Sequence, residues 1–479
     1  MGELSEYRGK RDPERTPEPV PQTDELVHGD NDVFVIQEHH ARRLHWDIRM
    51  ERDGVLASWA VPMGLPSEPG TMRLAVHTED HPLEYATFSG EIPAGEYGAG
   101  KMLIWDHGRY ETLHWNDHKV EVVFHGERAR GKYLFLNRHD PESERDWLLQ
   151  RVDPPEAGHT PLPPFIAPML ARTGKLPSLA EDGDWAYEFD WSGRRMSAKI
   201  VGGRCTLVDD GGSDVTALFP ELRSLGEQLG SAEVYLDGEV IVLENGKPSP
   251  GALDRRMGAA RSQAKRLSQH LPALYLPFDV LHHDGRSCAD LPYVERRRVL
   301  GVLDLNGPHC RIPDFFVGDG GAVAEASVKH GLAGIIAKRA ASTYQAGKAS
   351  ADWLAIAGVR VRDVVIGGWR PGGGKRASSF ASLLLGIPHG DALRYVGNVG
   401  AGFSENDLVQ LTGRLKRSER KSSPFHAVPP GQARDAHWVT PRLVGEVVFT
   451  GWTKAGCVRT PRWRGLCPGR EAGEVTDDA

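Results

Sequence analysis

Cysteine is scarce in this 479-residue sequence: five residues, at positions 205, 288, 310, 457 and 467, far apart and with no CxxC pair. Neither a disulfide framework nor a zinc knuckle is signalled, and a reducing cytoplasm fits. Long apolar runs are also missing. No stretch approaches the roughly 20 residues needed to cross a bilayer, and the amino terminus MGELSEYRGKRDPERTPEP is too charged for a signal peptide. Export and membrane function are therefore not expected. An excess of positive charge is lacking too: 58 Lys and Arg against 65 Asp and Glu give a net charge of -7. Binding to nucleic acid would have to rest on local clusters, of which DRRMGAARSQAKR (254–266) and GRLKRSERK (413–421) stand out. Either is equally a solvated helix face. No internal repeat is present.

The length exceeds what one hydrophobic core usually supports, so two or three domains are expected. Residues 1–30, with prolines at 13, 17, 19 and 21, read as a flexible extended arm. In 31–152, short β-rich runs such as DVFVI, VLASWAV and KVEVVFHG are broken by Gly, Pro and Asn/Asp turns, the pattern of a small sandwich or barrel. The Pro-rich segment 153–164 reads as a semi-rigid linker. In 165–360, strand-like AYEFDW, VYLDGEVIVL and ALYLPFDVL alternate with helix-like FPELRSLGEQL and VERRRVLGVL, a mixed α+β pattern. Residues 361–467 hold about five strands and one helix, which suggests an OB-type barrel, and 468–479 read as a disordered acidic tail. The expected fold is multidomain α+β, with a small β-barrel, an α+β domain and an OB-fold barrel.

One stretch concentrates chemistry. In LHWDIRME (44–51) the period of two sends Leu44, Trp46, Ile48 and Met50 to one side of a strand and His45, Asp47 and Arg49 to the other. A second cluster, RLAVHTEDHPLEY (73–85), adds Arg73, His77, Glu79, Asp80, His81 and Tyr85 to a region that already has His39 and His40. Imidazole and carboxylate donors suit manganese or zinc, and neighbouring arginines suit a phosphate. Metal-assisted phosphoester cleavage is the leading chemistry. The metal would polarise the phosphoryl oxygen and activate a water while the arginines stabilise the growing charge. His40, Arg42 and Arg43 read as solvated.

FVIQEHHARRLHWDIRME (34–51), SWAVPMG (58–64), RLAVHTEDHPLEY, FSGEIPAGEYGAG (88–100), WDHG (105–108) and KRDPERTPEP near the start follow one another in order. Together they resemble the 3'-phosphoesterase module of bacterial DNA ligase D, over residues 5–152. That resemblance implies that His39, Asp47 and His81 hold a divalent metal, manganese first. It also implies that His45, Arg49, Arg73 and Tyr85 contact the scissile phosphate or assist transfer, and that Asp12 closes over the site. The implied activity removes a 3'-terminal ribonucleotide or a 3'-phosphate. Met63 stands where the family often has lysine, which weakens the case for the phosphatase step.

IAPMLA (166–171), FPEL (219–222), LDGEVIVL (236–243), YLPFDVL (275–281), GIIAKR (334–339), RYVGNVGAGF (394–403) and GEVVFTGWT (445–453) resemble the ATP-dependent DNA ligase module of the same family. Such ligases attack ATP with a lysine in a KxDGxR motif. Here the segment is EFDWSGRR (188–195), with Asp190 at the lysine position, Ser192 at the aspartate position, and Gly193 and Arg195 retained. A carboxylate forms no stable phosphoramidate and repels a triphosphate. Ala333, Ala355, Ala357, the DDGGSD segment (209–214) and Cys467 are further departures, and Lys199 lies too far along the chain to substitute. Glu239, Phe278 and Lys338, with Arg195, match positions that would contact ATP, so vestigial binding of ATP with magnesium is the most this module is expected to keep.

The reading is a cytoplasmic, nucleoid-associated bacterial enzyme that processes DNA 3' ends in double-strand-break repair, fused to a ligase-shaped module that no longer adenylates itself. It would need a DNA-end-binding protein and a separate polymerase or ligase, since no polymerase module is recognised. The competing readings are a working ATP-dependent DNA ligase and a non-catalytic DNA-binding scaffold.

Overall fold

The structure, a computed structural model, describes residues 4–22, 26, 28–139, 143–373 and 379–476. The expected arm and tail extend beyond these at residues 1–3, 23–25, 27 and 477–479, which lie outside the described residues.

After a short helix, α1 (Ser5–Gly9), nine strands follow: β1 (Val33–His40), β2 (Leu44–Arg52), β3 (Val55–Val61), β4 (Met72–His77), β5 (Gly90–Ile92), β6 (Gly100–Trp115), β7 (Lys119–His125), β8 (Arg130–Asn137) and β9 (Asp146–Arg151). β1 pairs with β2 on one side and β6 on the other, so eight strands close into a barrel in the order β1-β2-β3-β4-β9-β8-β7-β6, with β5 added beside β6. Closure leaves those eight strands no free edge. The alternation in β1 and β2 sends Phe34, Ile36, Trp46, Ile48 and Met50 into a core shared with Trp59, Phe124, Phe135 and Leu149. The opposite face of the same strands carries the chemistry.

That face is only partly open to solvent, because the amino-terminal arm packs on one side of it. Leu4 and Tyr7 are buried with Val55, Leu56, Tyr85, Ile92 and Met102 in a second apolar cluster, and the Tyr7 hydroxyl donates to the Pro19 carbonyl at 2.8 Å. The expectation of a flexible arm is corrected here. Burying a leucine and a tyrosine stabilises by about 1.5–3 kcal/mol each, enough to order a short segment whose prolines already restrict it.

The second module holds two sheets. One orders strands Leu170–Thr173, Ala349–Ala357, Gly334–Arg339, Trp185–Asp190 and Phe316–Val317; the other has Arg194–Val201, Val234–Glu244 and Ala273–His283 at its centre. Its main core, around Met196, Leu207, Leu236, Val240 and Tyr275, lies between the second sheet and its helices. The third module is OB-fold-like. Its strands Arg360–Pro371, Phe380–His389, Ala392–Val399, Val444–Phe449 and Arg462–Leu466 are joined in one sheet, with helix Glu405–Arg417 started by a Ser404/Asp407 capping box. Val475 is buried in this core and the Thr476 carbonyl accepts from Arg362 at 2.7 Å, so up to residue 476 the expected disordered tail is packed.

The modules touch. The Trp105 indole donates to Ser231 at 2.6 Å, Ser67 donates to Glu233 at 3.0 Å, and Arg73 approaches Glu233 at 3.5 Å. Gly202, at φ 52°, lies so close to Met63 that a Cβ would sit 2.5 Å from the Met63 carbonyl oxygen. The Pro-rich linker is docked as well: Thr160 N–H donates to Gly285 at 2.6 Å and His159 meets Glu68 at 3.3 Å. Arg464 ties the third module to the second, donating to Pro177, Glu446 and Asp182. No helix among the described residues is long and apolar enough to cross a membrane.

Candidate active site

The hairpin between β1 and β2 turns through Ala41, Arg42 and Arg43, so His40 pairs with Leu44, His39 with His45, and Gln37 with Asp47. Directly opposed residues share a face. His39, His45 and Asp47 accordingly converge, with one donor atom of each within 4.8 Å of the others. His39 Nδ1 lies 3.1 Å from His45 Nε2, and the two nitrogens are 3.7 and 3.6 Å from the Asp47 carboxylate oxygens.

The second nitrogens fix the tautomers. His39 Nε2 faces the Gly98 carbonyl at 2.8 Å and His45 Nδ1 faces the Arg43 carbonyl at 2.9 Å. Each donates there, which turns His39 Nδ1 and His45 Nε2 toward one another and toward Asp47. Ring nitrogens that close share a cation, either a proton or a metal ion. Carbonyl-oriented imidazoles with a carboxylate form the donor set of a divalent transition metal, so the residues present fit one. Burial alone would raise the Asp47 carboxyl, but the Arg49 guanidinium and the two imidazoles outweigh it and hold it well below the usual carboxylate range.

Beside this set lies a cradle of donors. Arg49 is buried and spans it, donating to Gln37 Oε1 at 2.7 Å, Ser58 Oγ at 3.0 Å and Asp47 Oδ2 at 2.9 Å. His81 does not join His39 and Asp47 as expected. Its Nδ1 lies 2.9 Å from the Glu79 carbonyl and 3.1 Å from Arg49 Nη1, while Nε2 faces Arg11 at 3.4 Å. Burial and the two guanidiniums push its pKa well below the ordinary value, keeping the ring neutral. Tyr85 is buried against His81 and Arg49 and donates to Glu18 Oε1 at 2.9 Å. Its environment keeps the phenol protonated, burial being the main cause.

Arg11 and Glu18 come from the arm. Arg11 pairs with Glu18 at 2.9 Å and with Glu79 at 3.2 Å, all three with almost no side-chain exposure. None of the three is a residue for which the motifs gave a role, although all lie inside the quoted segments KRDPERTPEP and RLAVHTEDHPLEY. The structure leaves two expected residues out. Asp12 is exposed and accepts from the Glu14 N–H at 3.0 Å. Arg73 points away from the site, donating to Leu65 at 2.7 Å and also to Met63, in the seam with Glu233. The seam with the second module, not the site, consumes the guanidinium.

The second module has a pocket lined by Glu188, Trp191, Arg195, Glu239, Phe278, Lys338 and Trp353. Lys338 is fully buried, 2.6 Å from Glu188 Oε2 and 3.9 Å from the Phe278 ring centre. Burial lowers its pKa, against the pull of Glu188. Glu188 is also held by Arg297 at 3.2 Å and by the Tyr293 hydroxyl. Arg195 forks onto Asp237 at 2.6 and 2.5 Å, and burial raises the pKa of Glu239. Asp190 is half-buried and accepts from the Ser192 N–H at 2.9 Å. The charged groups here are thus largely turned to protein partners, whereas the buried indole N–H groups of Trp191 and Trp353 have none.

Family comparisons divide the chain in the same order. Residues 37–137 match the DNA ligase D 3'-phosphoesterase domain, 168–356 the ATP-dependent DNA ligase domain and 376–468 the ATP-dependent DNA ligase C-terminal region. The multifunctional non-homologous end joining DNA repair protein LigD of Mycobacterium tuberculosis H37Rv is 42% identical over 98% of this chain and 61% of its own length. The LigD protein of Pseudomonas aeruginosa is 32% identical over 99% of this chain and 62% of its own. The chain therefore spans about three fifths of the curated relatives it matches. The crystal structure of the ligase domain from M. tuberculosis LigD is similar at 36% identity, covering 65% of this chain and 98% of that one, with a TM-score of 0.37.

Proposed function

Because this chain is DNA ligase D-like, joining a 3'-phosphoesterase domain to the domains of an ATP-dependent DNA ligase, we propose that its barrel removes 3'-terminal ribonucleotides or 3'-phosphates from DNA ends in double-strand-break repair. The observation that carries the metal-dependent form of this reading is the convergence of His39 Nδ1, His45 Nε2 and the Asp47 carboxylate within 4.8 Å of one another. His39, His45 and Asp47 would hold the metal, with manganese preferred. When bound, the metal supplies Lewis acidity to the phosphate.

The chain's own residues do the rest. Arg49 and Arg11 neutralise the phosphate and, being fixed by Gln37, Ser58, Asp47, Glu18 and Glu79, cost little reorganisation as charge grows. Neutral His81, oriented by the Glu79 carbonyl, offers Nε2 as an acceptor. Tyr85 keeps its proton and can donate it as a hydrogen bond to an oxygen of the substrate in place of Glu18. The arm shields the reacting group from bulk water. The partners of such a reaction are a DNA-end-binding protein and a separate repair polymerase or ligase, at the nucleoid in the cytoplasm.

For the ligase-like module we propose a DNA-docking role without self-adenylation. Asp190 replaces the nucleophile, and Lys338 is committed to Glu188. One experiment tests both halves. Full-length protein with manganese, ATP labelled at the α-phosphate, and a primer-template ending in one ribonucleotide should yield a trimmed primer and no labelled protein. A labelled protein refutes the second half; an untouched primer refutes the first.

A further inference from the structure

The loop from Ile92 to Gly100 carries an aromatic ring that the site, as described, does not use. Tyr97 is 50% exposed at the rim of the phosphoesterase pocket. Its neighbours on both sides are pinned. Gly98, at φ 75°, gives its carbonyl to His39, and Glu96 holds Arg15 of the arm at 2.6 Å. A ring whose chain neighbours are already held loses less freedom on binding than one on an unsupported loop.

Its surroundings indicate what it meets. The ring centre is 5.5 Å from the Arg11 guanidinium and 4.7 Å from the Lys10 ammonium. Arg11 also lines the pocket, with Nη2 3.4 Å from His81. A phosphate held by Arg11 therefore has Tyr97 within the span of a single nucleotide. Lys10 is tied to Glu6 at 2.8 Å and Glu79 at 3.0 Å, and Arg11 to Glu18 and Glu79, so both cations are held beside a ring that is half exposed and has surface left for a base. Aromatic faces beside backbone-tracking cations are how proteins hold single-stranded bases without reading sequence.

We propose that Tyr97 is the platform on which the base next to the scissile phosphate stacks, so that the module selects a base-bearing 3' end over a bare sugar phosphate. The selection is for a base as such, because every base has a π-face. This inference rests on the phosphoesterase reading above, and its test separates the two.

Full-length wild type, Tyr97→Ala and Tyr97→Phe are compared, with manganese, on two single-stranded oligonucleotides ending in a 3'-phosphate. One has 2-aminopurine as its last base and the other an abasic sugar there. Phosphate release gives KM and kcat, and 2-aminopurine fluorescence, quenched by stacking, reports binding directly. Stacking by alanine substitution is worth about 5- to 150-fold. Tyr97→Ala should raise KM by that factor on the base-bearing end and abolish the quench. Its penalty on the abasic end should be smaller by about the same factor, and Tyr97→Phe should stay within about threefold of wild type. Equal penalties on both ends would overturn the proposal, because the ring would then be supporting the arm or the His39 loop. So would no penalty on either. If wild type releases no phosphate, the phosphoesterase reading fails, and a Tyr97-dependent quench still decides the stacking claim.

Discussion

Replacing His45 and His81 separately discriminates two arrangements that the sequence alone does not separate. In the structure one donor atom each of His39, His45 and Asp47 lies within 4.8 Å of the others, whereas His81 spends Nδ1 on the Glu79 carbonyl and turns Nε2 toward Arg11. Loss of a group that merely orients a metal ligand typically lowers affinity 10- to 100-fold. His45→Ala removes one of three donors outright, so manganese affinity should fall by more than about 100-fold. His81→Ala removes no donor and should change affinity by less than about threefold, while cutting phosphate release by about 100-fold or more through loss of an oriented acceptor. The assay is isothermal titration of the full chain with manganese, with thermal unfolding in EDTA confirming that each variant folds. Retained binding in His45→Ala together with lost binding in His81→Ala would refute the assignment.

Three further outcomes are expected. Asp80, pushed up to about 6 chiefly by burial and then by Glu6 and Glu79, has a folded pKa above its unfolded value. Its contribution is therefore greatest below pH 4 and is lost as pH rises from about 4 to 6, so Asp80→Asn should stabilise the barrel by about 1–3 kcal/mol at pH 7.5 and by almost nothing at pH 3.5, measured by urea unfolding. Arg464→Met leaves Asp182 and Glu446 without their shared cation and should cost about 3–5 kcal/mol in denaturant unfolding, more than either carboxylate neutralised alone. Asp190→Lys should leave the protein unlabelled by ATP, since Ser192, Ala333, Ala355 and Ala357 remain and Glu188 keeps Lys338; a labelled product on a denaturing gel would show that the pocket needs only its nucleophile.

The strands of the barrel were legible because alternation is local: Trp46, Ile48 and Met50 against His45, Asp47 and Arg49 require nothing beyond the pleat of β2. The pairing of His39 with His45 was legible in principle, since a three-residue turn at 41–43 sets that register, but the family resemblance put His81, not His45, with His39 and Asp47. The burial of the arm was not legible. Leu4 and Tyr7 acquire a partner only when Leu56, Tyr85, Ile92 and Met102 are brought together by the closed barrel. Arg73 went astray for a related reason. Nothing in RLAVHTEDHPLEY indicates that a neighbouring module will present Glu233 to it, so a residue typical of phosphate binding is spent on a contact between modules. The aspartate at position 190, by contrast, is read from the chain itself and needed no folding to be seen.

The seam between barrel and second module has a bearing on what a protease would do. Glu156, Ala157 and Gly158 are exposed, so the chain can be nicked there. Trp105 with Ser231, Arg73 and Ser67 with Glu233, and Met63 against Gly202 lie to either side of that point and do not depend on it. A cut chain should consequently co-elute as one particle, and its two pieces should part only in denaturant or, because an ion pair is among the ties, more readily at high salt. The covalent connection delivers the modules to each other; the seam is what keeps them there.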